Sequence, residues 1–181
     1  MYGLVNKAIE DLVTEQFGRE KWEAICVEAG HDDLGFIGMK SYPDELTYRL
    51  VGAASKVLGA GTDELLEAFG EYWILYTGSK GYGPLMDMAG SKFQDFLKNL
   101  DFLHHRVSGM MPQLAPPSFS VRIETPQSME LVYRSHRHGM VPMLKGLIRG
   151  LGKKFNQEVT VELLDSVEEA DHTLAVLLVK W

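Results

Sequence analysis

Apolar residues recur at helical spacing through roughly the first hundred positions, and at every second position through much of the remaining chain. Leu4, Val5, Ala8, Ile9, Leu12 and Val13 share one side of a helix expected over residues 3–17, which Gly18 stops. A second helix is expected from about Glu20 to Ala29, ended by Gly30, with residues 31–40 as a loop. Ser41 reads as the N-cap of a third helix running to Leu58, with Pro43 in its first turn and Asp44 at the capping-box position. Thr62, followed by Asp63 and Glu64, opens a fourth that reaches Thr77. The glycine-punctuated stretch 78–90 has room for a short helix around Leu85 to Met88. From Phe93 to Val107 one continuous helix is expected, with Ser91 as its cap and Gln94 completing the capping box.

After Val107 the period changes. Pro112, Pro116 and Pro117 forbid both helix and sheet centre, leaving a stiff connector. Phe119, Val121 and Ile123 alternate with Ser120, Arg122 and Glu124, and a second alternating run begins at Ser128 after a Thr125-Pro126-Gln127 turn, which reads as a hairpin. A glycine-spaced helix comes next, over residues 139–152. Strands at 157–164 and 173–180 close the chain, joined by an acidic turn at 165–171. The expected class is α+β: a helical N-terminal subdomain, residues 1–62, and a C-terminal α+β subdomain, residues 63–181, with a four-stranded antiparallel sheet, together one functional domain.

Charge and composition narrow the possible roles. The net charge of -7 argues against nucleic acid or an anionic membrane as partner. The single cysteine, Cys26, excludes a disulfide framework and any multi-cysteine metal centre, and its apolar flanks suggest an inert buried thiol. No apolar run has membrane-spanning length and no signal peptide precedes the first helix, so the expected location is the cytoplasm.

Two constellations carry chemistry. Phe93, Phe96, Leu97, Leu100, Leu103 and Val107 make one stripe, and His104 falls on it while His105 falls among Lys98 and Asp101 on the polar side. An inward imidazole either finds a hydrogen-bond partner or binds a metal, and this helix alone leaves both open. In the strand from Met129, Tyr133, Ser135 and Arg137 follow Met129 and Leu131 on one face if the strand stays regular. All three donate hydrogen bonds, and the guanidinium fork fits a carboxylate. An inward histidine, three carboxylate-seeking donors and an apolar interior together describe a haem pocket: the imidazole on the iron, the donors on the propionates. His136 and His138, flanking Arg137, read as solvated residues, and Asp101, one turn before His104, as either an orienting group or an ordinary exposed acid.

With these residues in view, the sequence resembles the haem-nitric oxide/oxygen-binding (H-NOX) family, sensor domains found in bacteria and in the soluble guanylate cyclase beta subunit. The resemblance extends over the whole chain through Met1-Tyr2-Gly3-Leu4-Val5-Asn6, Gly70-Glu71-Tyr72-Trp73, Leu100 to His104, the Pro116-Pro117 pair, and Tyr133-x-Ser135-x-Arg137. It implies haem b, with His104 as proximal ligand and Tyr133, Ser135 and Arg137 clamping the propionates. It also implies that Pro117 and Val5 press the ring and bend it, and it makes Trp73 and Met143 look like distal wall residues. Oxygen-holding relatives offer a distal tyrosine from the helix after the signature; residues 139–144 here contain none. The expected function is therefore a sensor that binds NO and CO, excludes oxygen, and signals by weakening or breaking the bond between iron and His104. By the same resemblance the output acts in trans on a sensor histidine kinase or a cyclic-di-GMP enzyme. The rival reading, a haem enzyme of peroxidase or NO dioxygenase type, requires distal acid–base groups that this stretch does not offer.

Overall fold

The computed structural model describes residues 1–31 and 35–181, with only the backbone described at Gly78 and Ser79. Of the loop expected at 31–40, residues 32–34 lie outside the described residues. The chain divides into two compact units, Met1–Phe69 and Gly70–Trp181.

The first unit is helical. α1 (Gly3–Phe17) ends where Gly18 adopts φ 89°, a conformation costly for any residue with a side chain. α2 (Arg19–Glu28) and α3 (Asp44–Leu58) pack with α1 around Ile9, Leu12, Trp22, Ile25 and Leu50. α3 starts later than the sequence suggests, because Ser41 is engaged elsewhere. It forms a β-bridge with Tyr2, while the N–H of Gly3 bonds the Lys40 carbonyl at 2.8 Å and that of Tyr42 bonds the Met1 carbonyl at 2.7 Å. Gly3 makes this approach possible, since a methyl group there would collide with the Ile37 carbonyl.

The inward side of α1 also carries polar groups at four-residue spacing, Asn6, Glu10 and Thr14. Thr47 donates to Asn6 Oδ1 at 2.7 Å and Arg19 donates to Glu10 Oε1 at 2.8 Å, so two of the three tie α1 to its neighbours. Cys26 is fully buried, and burial together with the Glu10 charge pushes its thiol up to about 11.

α4 (Thr62–Thr77) has the expected limits and crosses from the first unit into the second. A π-type turn at 78–82 and α5 (Gly83–Asp87) follow. The sheet comprises β1 (Ser118–Thr125), β2 (Ser128–Ser135), β3 (Thr160–Glu168) and β4 (Thr173–Lys180), all antiparallel in the order β1-β2-β4-β3. The fold is thus α+β. One sheet face, made by Met129, Leu131, Ala175, Leu177 and Val179, is buried with Leu144, Ile148 and Leu151 of α8 (Val141–Lys154) in a single core. Burying each large side chain there contributes roughly 1.5–3 kcal/mol.

Three sequence expectations change in this unit. The helix expected over 93–107 is two: α6 (Phe93–Lys98) and α7 (Leu100–Met110), separated by Asn99 at φ −97°, ψ 10°. Asn99 donates its side-chain amide to the Ala89 carbonyl at 2.8 Å, so this residue anchors the break; Ser91 makes no cap and Lys92 takes the N-cap position. Val121 and Ile123 do not share a face, because a bulge between them turns Ile123 outward, 52% exposed. The acidic stretch read as a turn from residue 165 is strand as far as Glu168.

Candidate haem site

α7 positions the histidines. Leu100, at its start, is buried in the core, and one turn further on His104 follows it inward while His105 is exposed. Nδ1 of His104 is buried and has no hydrogen-bond partner among the described residues. Burial lowers the pKa of this ring, against the opposing pull of the Asp101 charge and the Pro117 carbonyl. The imidazole is therefore neutral at pH 7, with a lone pair available to a metal.

Phe119 links the two constellations. Its ring lies 5.6 Å from that of His104 and 5.5 Å from that of Tyr133, both tilted contacts. Its backbone N–H donates to Asp101 Oδ1 at 2.5 Å, which fastens the start of β1 to the first turn of α7. Sequence reasoning gave Phe119 only a place on a strand face and left Asp101 between two roles. Asp101 is exposed and, through this bond, tied to the start of β1.

On β2, Tyr133 and Ser135 point to the core side as alternation requires, at 4% and 5% exposure, and are hydrogen-bonded to each other. Burial raises the Tyr133 pKa, while Ser135 and the Arg137 charge oppose the shift, so the phenol stays protonated and able to donate. β2 ends at Ser135; Arg137 lies beyond the ladder, held by its own N–H to Ser135 Oγ at 3.0 Å. Its guanidinium Nη1 donates to the Ala115 carbonyl at 2.7 Å, in the connector that also carries Pro117. Arginine has five N–H donors, so this bond leaves capacity for a carboxylate.

Trp73, on α4, is stacked with Tyr76 at 6.2 Å and packs with Met143 of α8 against the core of this unit. Val5 is half-buried on α1, in the first unit. His136 is exposed, and His138, its side chain 43% exposed, has Nδ1 3.2 Å from Thr173 Oγ1.

His104, Pro117, Tyr133, Ser135 and Arg137 are thus brought together around Phe119 and Ala115. Tyr133, Ser135 and Arg137 have partners within the chain; Nδ1 of His104 has none among the described residues, and this orphaned ring nitrogen is the feature that fits an iron porphyrin.

An α+β domain with a half-buried, neutral imidazole, its Nδ1 left without a partner among the described residues, on a helix beside an antiparallel sheet is the frame of a haem-binding sensor. The sequence matches the family described as Haem-NO-binding over residues 2–163, and the chain belongs to that family, as an H-NOX haem domain related to soluble guanylate cyclases. It is 31% identical over 166 residues to soluble guanylate cyclase gcy-31 of Caenorhabditis elegans, a match that takes in 91% of this chain and 24% of that protein. The chain spans about a quarter of the length of the curated relatives it matches. Among solved structures, a Cs H-NOX mutant with 4-cyano-L-phenylalanine at site 5 superposes with a TM-score of 0.88 at 21% identity, covering 99% of this chain and 96% of the other. An oxygen-binding H-NOX domain related to soluble guanylate cyclases superposes with a TM-score of 0.84 at 20% identity, covering 99% and 94%. Likeness at this identity establishes the fold.

Proposed function

We propose that this chain senses nitric oxide through haem b held by His104, admits CO, excludes oxygen, and reports its state to a separate protein. The observation that carries the reading is the buried, unpartnered Nδ1 of a neutral His104. His104 would hold the haem iron, and the haem would supply a ferrous site for the gas at which NO would weaken or break the hold of His104.

The chain's own residues would do the rest. Tyr133, Ser135 and Arg137 would donate to the propionates, while Pro117, next to His104, would press the ring; Val5 keeps the same role by resemblance alone. The first turn of α8, Val141-Pro142-Met143-Leu144, presents no side chain able to donate a hydrogen bond. With Met143 as a wall, such a surface disfavours oxygen, which gains from a donor, relative to NO and CO, which need none; the indole of Trp73, the donor among the proposed wall residues, stacks on Tyr76. The fold itself does not decide this, since a structure of the same architecture is an oxygen binder.

His104 sits on α7, and Asp101 couples that helix to β1 through Phe119. A change at His104 is thereby passed to the sheet and the proline connector. The proposed output is a displacement between residues 1–62 and residues 63–181, read by a partner with different affinity for the two states. A sensor histidine kinase or a cyclic-di-GMP enzyme is the partner class, and the cytoplasm the location. No described helix is long and apolar enough to cross a membrane. The role proposed is sensing, not catalysis.

Absorption spectra of the reduced protein under argon, air, CO and NO in turn test this reading. NO and CO should each shift the spectrum and air should leave it as under argon; an oxygen-type spectrum in air would overturn the exclusion. His104→Ala should lose haem unless imidazole is supplied, and His105→Ala should not. Unchanged spectra in the His104 variant would overturn the ligand.

A further inference from the structure

β3 is one margin of the sheet, pairing with β4 and, among the described residues, with no strand on its other side. Eight of its nine positions are exposed, and Leu163, Leu164 and Val167 are 38–45% exposed. The outward N–H and C=O groups of such an edge are a template for another extended chain. Edges are commonly guarded by charges, above all lysine, by proline or by a bulge; β3 has no lysine or proline, and its guards are its acids and a bulge between Leu163 and Asp165. The opposite margin is better covered: on β1, Asp101 takes the Phe119 N–H, Arg122 pairs with Glu130 at 2.6 Å, and Lys98 reaches Glu124.

Charge selects what β3 accepts. From Glu158 to Asp171 there are six acids and no lysine or arginine. Glu162 and Asp165 have no ion-pair partner among the described residues, and they stand opposite the apolar Leu178 and Val176 on β4. A second copy of β3 alongside the first would set acid against acid, and like charges on neighbouring strands destabilise pairing. An extended segment in which lysine or arginine alternates with apolar residues satisfies the backbone, the leucines and the carboxylates at once.

We propose that the β3 edge is a docking edge on which a partner protein adds a basic, apolar-alternating segment as a fifth strand. This rests on the reading that the domain reports to a second protein. The test reads the edge without any gas, so it fails separately from the gas-binding spectra.

The probe is a nine-residue peptide of alternating lysine and valine, titrated into the haem-loaded 181-residue protein and followed by backbone hydrogen exchange. Amide exchange within β3 should slow by about tenfold or more, as local opening of the edge is suppressed. The same peptide N-methylated at alternate residues, prepared in both phases, keeps its charge and should lose this protection in one phase. The doubly substituted Glu162→Lys/Asp165→Lys protein should bind about tenfold more weakly with its haem spectrum and circular dichroism unchanged. Failure to bind, binding that survives N-methylation in both phases, or protection confined to other strands overturns the proposal. Protection of β3 that rises with protein concentration alone also overturns it, by making a second copy the occupant.

Discussion

The Asp101 carboxylate accepts the backbone N–H of Phe119 at 2.5 Å, joining the helix that carries His104 to the strand whose ring lies against that histidine. One acid thus holds the spacing between α7 and β1 and also biases the imidazole electrostatically, because its charge favours protonation of His104 against the effect of burial. Asp101→Asn keeps the size but removes the charge. A charge-assisted hydrogen bond contributes roughly 1.5–3 kcal/mol and a neutral one about 1, so the variant should be about 1 kcal/mol less stable in urea titration. Asp101→Ala should lose more and should also broaden the amide signal of Phe119 in NMR spectra. Full retention of stability in the alanine variant would mean that the bond is immaterial.

Arg137 serves the connector as well as any bound carboxylate, through its 2.7 Å bond to the Ala115 carbonyl. Arg137→Ala should therefore do two things. The haem-free protein should lose about 1 kcal/mol of stability as one neutral-acceptor hydrogen bond is removed. Haem transfer to an excess of apomyoglobin should accelerate by roughly ten- to a hundredfold if a carboxylate contact is lost as well, since such contacts contribute about 1.5–3 kcal/mol. Lower stability with an unaltered transfer rate would assign Arg137 to the connector alone.

Cys26 should behave as an inert hydrophobe. Its side chain is fully buried and its pKa is raised from 9.0 to about 11, chiefly by burial. At pH 8 the thiolate fraction in the folded protein is then far below that of a free thiol, and reaction with a disulfide reagent requires opening of the helical unit. Labelling at pH 8 should be at least about a hundredfold slower in buffer than in denaturant. Rapid labelling of the folded protein would show that α2 opens readily.

Much of this was legible in the chain because local periodicity and a breaker coincided. α1 ends at Gly18 and α4 starts at Thr62, where apolar spacing meets glycine or a capping residue, and the first strand of the signature starts at Ser128 as alternation predicts. The separation of His104 from His105 needed only the 3.6-residue turn. The features that escaped depend on partners distant in sequence. Asn99 breaks its helix beside a bond to the Ala89 carbonyl, and Ser41 yields its capping role to a bridge with Tyr2; neither acceptor is identifiable from spacing. The bulge that turns Ile123 outward adds one residue to the strand, which alternation cannot register. The centrality of Phe119 between His104 and Tyr133 is likewise a tertiary fact.

The glycine spacing of α8 has a steric cause that makes the last prediction. α8 and α4 touch backbone to backbone: a methyl on Gly70 would collide with the Met143 carbonyl oxygen and come within 2.8 Å of the Leu147 nitrogen. From the other side, a methyl on Gly150 would stand 2.8 Å from the Glu71 carbonyl oxygen and 3.1 Å from its Cα. These obstacles are main-chain atoms of helices already packed in the core, so side-chain rotation cannot relieve them. Alanine is the better helix former and would gain up to about 1 kcal/mol at an open site. Here overpacking outweighs that gain: Gly70→Ala and Gly150→Ala should each destabilise by about 2–3 kcal/mol. The control is Gly52→Ala on α3, where a methyl meets nothing within 4 Å and propensity alone acts. Thermal denaturation should rank the Gly52 variant at or above the parent and both others well below it. Because the crowded carbonyl is that of Met143, a surviving Gly70→Ala protein should also show altered CO affinity, whereas Gly52→Ala should not.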